Sequence, residues 1–257
     1  MLEIRKTESL ADIKQLRDDY INDLPYPQEL HLEEMISMCD YYFLEDRNET
    51  LGYFCVKPDK VLYEFYLKKH VLTSAQHLFK ELIDKGYFIA AESKTFDNLL
   101  LSLCMDFNIK AYCTAYLFRD FTKKACSPNG FDNLSFRQAI PEDLQNIVDI
   151  SGSFFEAPEE SILKNEIFVL YENANLLGAG SCKRVYSSKN YFDIGMVVSE
   201  NFRNRGIGSY IIKELTDYCV ATGKQPVCGC WYQNHASRKA LEKAGFVPRH
   251  RIVKFEF

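Results

Sequence analysis

The residues of this chain with the clearest chemical meaning are Arg203-Asn204-Arg205-Gly206-Ile207-Gly208. They fall between a run of strand type, Tyr191 to Val198, and a run of helix type that reaches about Thr222. Glycine lets a backbone come close to a ligand with its N–H groups turned inward. The start of a helix adds the positive end of its dipole, and the two together favour a phosphate or pyrophosphate. Arg203 and Arg205 add charge. A nucleotide P-loop would require G-x-x-x-x-G-K-[ST] and a dinucleotide fold G-x-G-x-x-G, and neither pattern is present. The plainer alternative is a tight strand-to-helix turn with solvent-facing arginines. Asp193 is the nearest carboxylate on the strand, and its apolar neighbours would raise its pKa toward that of a general base. Asn234 and Ser237 stand at the start of a later helix, where an Asn side chain also serves as a cap.

Four elements must position these groups. The strand is rich in aromatic and β-branched residues. The helix carries an apolar stripe at Ile207, Ile211, Leu215 and Cys219, four apart, and Gly223 ends it. A second strand, Val227 to Tyr232, and a helix from about His235 to Ala244, ended by Gly245, complete the set.

The surrounding sequence bounds what such a site can belong to. A length of 257 residues suits two ordinary domains. The net charge of −5 gives no global footprint for nucleic acid. Nine scattered cysteines without a C-x-x-C pair read as reduced, buried thiols, and His235 is too little to make a zinc site with Cys228 and Cys230. The N-terminus has no apolar h-region and no apolar run reaches membrane-spanning length, so a cytoplasmic protein that is a monomer or homodimer is expected.

The two halves echo one another. Leu2–Thr7 leads to Asp12-Ile13 as Leu134–Ala139 leads to Asp143-Leu144. Hairpin signals recur at Tyr42–Tyr53 and Phe168–Ala179. A helix and a strand close each half: Leu99–Asp106 then Ala111–Phe118, and Ser237–Ala244 then Arg251–Phe257. Repeats this long indicate duplicated domains rather than a solenoid. Thr122 to Gly130 is polar, ends in turn formers and reads as the linker. In the first half the matching strand, Leu62 to Leu67, enters a helix without glycines, so it is not expected to approach a pyrophosphate. Tyr41, Tyr42, Tyr63 and Tyr66 are candidates to line an acceptor pocket, with core packing as the alternative.

The stretch Val198 to Gly208 resembles the GNAT N-acetyltransferase signature [QR]-x-x-G-x-[GA]. Downstream, Asn234, Ser237, Leu241 and Gly245-Phe246 resemble the same superfamily's N-x-x-[AS]-x-x-x-[YL]-x-x-x-G-F helix. The resemblance implies an α+β fold of two tandem GNAT-like domains, each a mixed, mostly antiparallel sheet flanked by helices. Residues 1–122 would form a degenerate first domain, 123–133 the linker and 134–257 the catalytic domain. It implies acetyl-CoA as acyl donor, a small-molecule primary amine as acceptor, and no metal. The pyrophosphate would lie on the N–H groups of Arg205, Gly206, Ile207, Gly208 and Ser209. Arg203 and Asn204 would complete that loop. The pantetheine would pair against Met196, Val197 and Val198, with Asn234 and Ser237 near its thiol end, between splayed fourth and fifth strands.

The family transfers the acyl group by direct attack of a deprotonated amine on the thioester. Its carboxylate base usually falls at the position of Phe192, one residue before Asp193, and one residue changes the face of a strand. Its thiolate-protonating tyrosine falls at Leu241, with Tyr210 and Tyr232 nearby but off the motif. Glu156, Glu159 and Glu160 lie in the segment that lines the family's acceptor pocket. Two readings follow: an N-acetyltransferase, or a catalytically weak CoA-binding or regulatory protein. A third, aminoacyl-tRNA-dependent peptidyl transfer, lacks the basic surface it would need.

Overall fold

The computed structural model describes residues 2–47, 49–186 and 190–257. The chain opens with β1 (Glu3–Thr7), α1 (Lys14–Asp23), α2 (Leu30–Ser37), and the antiparallel meander β2 (Asp40–Asp46), β3 (Glu49–Val56) and β4 (Val61–Leu67). All seven residues of β4 are buried. That is why it reads as a continuous apolar run, broken only by Glu64. A 3-10 turn at Lys69–Ser74 leads into α3 (Ala75–Asp84), then β5 (Ala90–Lys94), α4 (Asn98–Phe107) and β6 (Lys110–Phe118).

The order then repeats. After the short β7 (Asp120–Phe121) come β8 (Leu134–Gln138), α5 (Leu144–Ser151), α6 (Pro158–Leu163), β9 (Ile167–Glu172), β10 (Asn175–Arg184) and β11 (Tyr191–Val198). A 3-10 turn at Glu200–Phe202 again precedes a helix, α7 (Ile207–Ala221). It is followed by β12 (Gln225–Trp231), α8 (His235–Lys243), the short β13 (Phe246–Val247) and β14 (His250–Glu256). The tight β9–β10 turn is made by Asn173 at φ 53°, a left-handed conformation that asparagine tolerates. The α7 stripe is buried as its spacing predicts: Ile207, Ile211, Leu215 and Cys219 are each at most 1% exposed.

Two compact units result. One is Met1–Ala115 with His250–Phe257, the other Tyr116–Arg249. In the first, β1 to β5 lie in sequence order, antiparallel except for the parallel β4/β5 pair. The neighbour of β5 on the far side is β14, paired antiparallel from Ile252↔Lys94 to Glu256↔Ala90. The chain's last strand therefore completes the first unit's sheet, whereas the division at residues 123–133 groups it with the second half. Ile252 and Phe255 are 2% and 3% exposed, and Phe255 joins the core of Phe54, Phe65, Phe79 and Phe88. Burying each side chain contributes about 1.5–3 kcal/mol. In the second unit the order is β8–β9–β10–β11–β12, antiparallel except for the parallel β11/β12 pair. All nine cysteines are free thiols, seven of them buried.

Candidate functional site

The Arg203–Gly208 loop lies where strand β11 hands over to helix α7. Gly206 has φ +86° and is the cap residue of α7, and no side chain caps this helix end. Asn204, at φ 62°, is also left-handed. The two left-handed residues turn the chain tightly, and the first N–H groups of α7 are left with no intrahelical acceptor. A helix start left open in this way is electropositive and suited to an anion. Behind it, Ile207 and Ser209 are buried, and Gly208 sits against β11: a Cβ there would lie 3.2 Å from the Met196 sulfur and 3.4 Å from Val198 Cγ2. The loop's arginines are exposed but engaged. Arg203 pairs with Glu200 at 3.3 Å and donates through Nε to the Val198 carbonyl. Arg205 donates to the Gly130 carbonyl at 3.3 Å, and its guanidinium lies 4.0 Å over the Phe131 ring.

The opening beside the loop follows from the strands. β11 and β12 pair only at Tyr191↔Gln225, Phe192↔Pro226 and Asp193↔Val227. Beyond Asp193 the two diverge, and Ile194 to Val198 keep ladder partners on β10 alone among the described residues. Met196, Val197 and Val198 thus present a strand edge next to the α7 start.

The faces of β11 settle where Asp193 points. Phe192, Ile194, Met196 and Val198 pack toward the cluster that contains Ile207, Ile211 and Leu215 of α7. Val197 packs with Ile147, Phe155 and Ala179, and a Cβ on Gly195 would meet the Phe154 ring at 3.1 Å. By strand alternation, Asp193 shares the second face, toward the α5–α6 connection that carries Phe154, Phe155 and Glu156. It stands at the last parallel pair, where the strands part. The Phe192 position, where the family usually places its base, faces the α7 side. Glu156, Glu159 and Glu160 are all exposed. Glu160 is held by Lys164 at 2.6 Å, and that hydrogen bond lowers its pKa.

Helix α8 supplies the remaining residues. Asn234 caps it, its side-chain oxygen accepting from the Ser237 N–H at 3.0 Å. Both predicted contacts are therefore brought together at one helix start. Leu241 is 2% exposed within the same core as Ile207 and Ile211. Tyr232 stacks on Tyr116 with ring centroids 4.7 Å apart, and Tyr210 lies half-buried on α7. Burial, together with the Glu214 carboxylate, raises the pKa of Tyr210.

Two contributions were not visible in the sequence. The segment read as a linker is packed down: Cys126 and Pro128 are buried, and the Asn129 N–H donates to the Arg205 carbonyl at 3.1 Å. A Cβ on Gly206 would meet Pro128 Cα at 3.4 Å and Lys243 Nζ at 3.5 Å. A lysine in the last turn of a helix is ordinary for the helix dipole, so nothing in its local sequence singles out Lys243.

The counterpart in the first unit carries a buried polar network beside a cavity of about 190 Å³ lined by Tyr20, Tyr66, Leu67, Phe96 and Asp97. β4 and β5 also part early, after Leu62↔Ala91. There Glu64, wholly buried, accepts hydrogen bonds from Arg17, Gln28 and Tyr53. Lys94, 1% exposed, donates to Tyr20 and Gln28 at 2.6 Å each and lies 3.6 Å from Asp97. The strand leads into a 3-10 turn without glycine. Of the tyrosines proposed to line a pocket, Tyr66 lines this cavity, Tyr41 and Tyr63 are buried, and Tyr42 stacks on Phe54.

Residues 9–121 match the profile of an acetyltransferase (GNAT) domain, and residues 135–246 that of the acetyltransferase (GNAT) family. The chain belongs to the GNAT acetyltransferase superfamily, with two GNAT domains in tandem. Among solved structures, an acetyltransferase from the GNAT family of Colwellia psychrerythraea is 26% identical, with 99% of each chain covered and a TM-score of 0.88. A tandem GNAT protein from the clavulanic acid biosynthesis pathway shares the fold at 13% identity, TM-score 0.60, over 99% of this chain and 98% of its own. No curated protein matches the chain.

Proposed function

We propose that the chain is an N-acetyltransferase that moves the acetyl group of acetyl-CoA to the primary amine of a small molecule. The observation that carries this is the uncapped start of α7 behind Gly206, set beside the strand edge that β11 exposes where it parts from β12. The N–H groups from Arg205 to Ser209 hold the pyrophosphate, and Arg203 and Asn204 complete the loop. Met196, Val197 and Val198 pair with the pantetheine, and Asn234 and Ser237 meet its thiol end. Asp193 takes the proton of the incoming ammonium, directly or through water. The amine nitrogen then forms a bond to the thioester carbon, and the carbon–sulfur bond breaks as the tetrahedral oxyanion collapses. An N–H of β11 donates to that oxyanion. The nitrogen gives up its second proton to water as the amide forms, and the leaving thiolate takes a proton from water, since Leu241 offers none.

Release of free thiol from acetyl-CoA, measured across a panel of amines, tests this reading. Asp193→Asn is expected to lower kcat roughly 10²-fold, the lower end of what a positioned base supplies, with little change in KM for acetyl-CoA. A variant that keeps wild-type kcat removes Asp193 from the mechanism. The buried Leu241 favours a second reading, a CoA-binding protein without useful turnover. Tight CoA binding with no thiol released for any amine would select it.

A further inference from the structure

Both arginines of the phosphate loop are turned to other partners: Arg203 to Glu200 and the Val198 carbonyl, Arg205 to Gly130 and Phe131. Both guanidiniums thus have partners of their own. A further cation comes to the loop from outside it: the Lys243 ammonium, 3.5 Å from where a Cβ on Gly206 would stand. Lys243 comes from α8, not from the loop, and it forms no ion pair among the described residues. Its backbone is fixed in place. The Cys126 thiol donates to the Lys243 carbonyl at 3.1 Å, and Lys124 donates to the Glu242 carbonyl at 3.4 Å. The same segment continues over the loop, with Pro128 against Gly206 and Asn129 bonded to Arg205. The strap from Lys124 to Gly130 thus ties the end of α8 to the start of α7.

We infer that Lys243 is a phosphate-binding residue of the acyl-CoA site, held beside the α7 amides by the strap, where its ammonium pairs with the pyrophosphate of CoA. This rests on the reading of the loop as a CoA site. It adds a full charge where helix amides supply only partial ones. The strap acts as a positioning element: it does not touch the ligand's charge but sets the distance between Lys243 and Gly206.

The test is equilibrium binding to the full-length protein of CoA, dephospho-CoA, which lacks the 3′-phosphate, and pantetheine, which lacks every phosphate. Lys243→Gln is expected to weaken CoA and dephospho-CoA alike, by roughly tenfold for one charge-assisted contact. It should leave pantetheine unchanged, with an unchanged Tm showing that the fold is intact. Lys243→Arg should restore most of the affinity. A residue that only favours the end of α8 would not separate the phosphate-bearing ligands from pantetheine. If Lys243→Gln binds CoA like wild type while Gly206→Asp does not, the inference is wrong and the loop assignment stands. A loss that disappears with dephospho-CoA would overturn the pyrophosphate assignment in favour of the 3′-phosphate. If wild type binds no CoA, the reading of the loop falls, and this inference with it.

Discussion

Glu64→Ala will cost the first unit about 3–5 kcal/mol, because it leaves Arg17 buried without its main partner. Arg17 has a side chain 12% exposed and lies 3.0 Å from Glu64 and 2.8 Å from Glu33. The network holds two cations, Arg17 and Lys94, against three carboxylates, Glu33, Glu64 and Asp97, all nearly removed from water. Burial on its own would push the Glu64 carboxyl up. The charge and hydrogen bonds of Arg17, with Lys94 and Tyr53, outweigh it, and the carboxyl sits below its ordinary value of 4.5. A group lowered in the folded state stabilises fully above its ordinary value. That contribution is lost as pH falls through the lower, folded value. Urea unfolding at pH 7 should therefore show the full difference between wild type and Glu64→Ala, and the difference should shrink below about pH 4.5. A triple replacement, Arg17→Met with Glu33→Gln and Glu64→Leu, should recover much of the loss, since it removes the whole buried ion group and apolar or neutral residues of similar volume often replace such a group at little cost. A loss under 1 kcal/mol for Glu64→Ala, or one that persists in acid, would show that the network does not hold the unit together.

Gly206→Asp is expected to weaken CoA binding by about 10³-fold, since a like charge set against a bound anion costs several kcal/mol. The substitution acts in three ways. It strains a backbone at φ +86°, although aspartate tolerates the left-handed region better than most residues. It fills the cradle, where the new Cβ would already touch Pro128. It also places a carboxylate beside Lys243 and the α7 amides, so the protein would supply its own anion in place of the pyrophosphate. A negative charge at a helix N-terminus is stabilising, so the fold should survive. Near-wild-type CoA affinity in a folded Gly206→Asp protein would mean that the phosphates lie elsewhere.

Much of this was legible in the residues. The spacing at Ile207, Ile211, Leu215 and Cys219 predicts α7 to about Thr222, and the helix runs Ile207–Ala221. β11 spans the predicted Tyr191–Val198, and the duplicated order of elements is visible from matching strand-turn-helix openings. What escaped was long-range. Alternation shows which face of β14 is apolar, but not that β5 is its partner. The strap looks polar from Thr122 to Gly130, and composition cannot reveal that Cys126 and Pro128 are buried or that the turn formers sit against Gly206. Arg17 and Lys94 have the residue types of a surface, and their burial depends on partners from α2, β4 and the segment after β5. The orientation of Asp193 lay between these cases. Its strand was clear, but its face became definite only once Phe154 was seen against Gly195.

The placement of β14 bears on how the protein is made. The first unit's sheet lacks a strand until residues 250–256 have left the ribosome. At about 5–20 residues per second, the stretch between β5 and β14 takes on the order of ten seconds or more to synthesise. Through that interval the β5 edge stays unpaired and the core that receives Phe255 stays incomplete. Exposed edges of this kind invite pairing with other chains. The second unit, Tyr116–Arg249, is complete in sequence before β14 is made. A chain interrupted just before His250 would hold every residue of the second unit and lack the strand that completes the first unit's sheet.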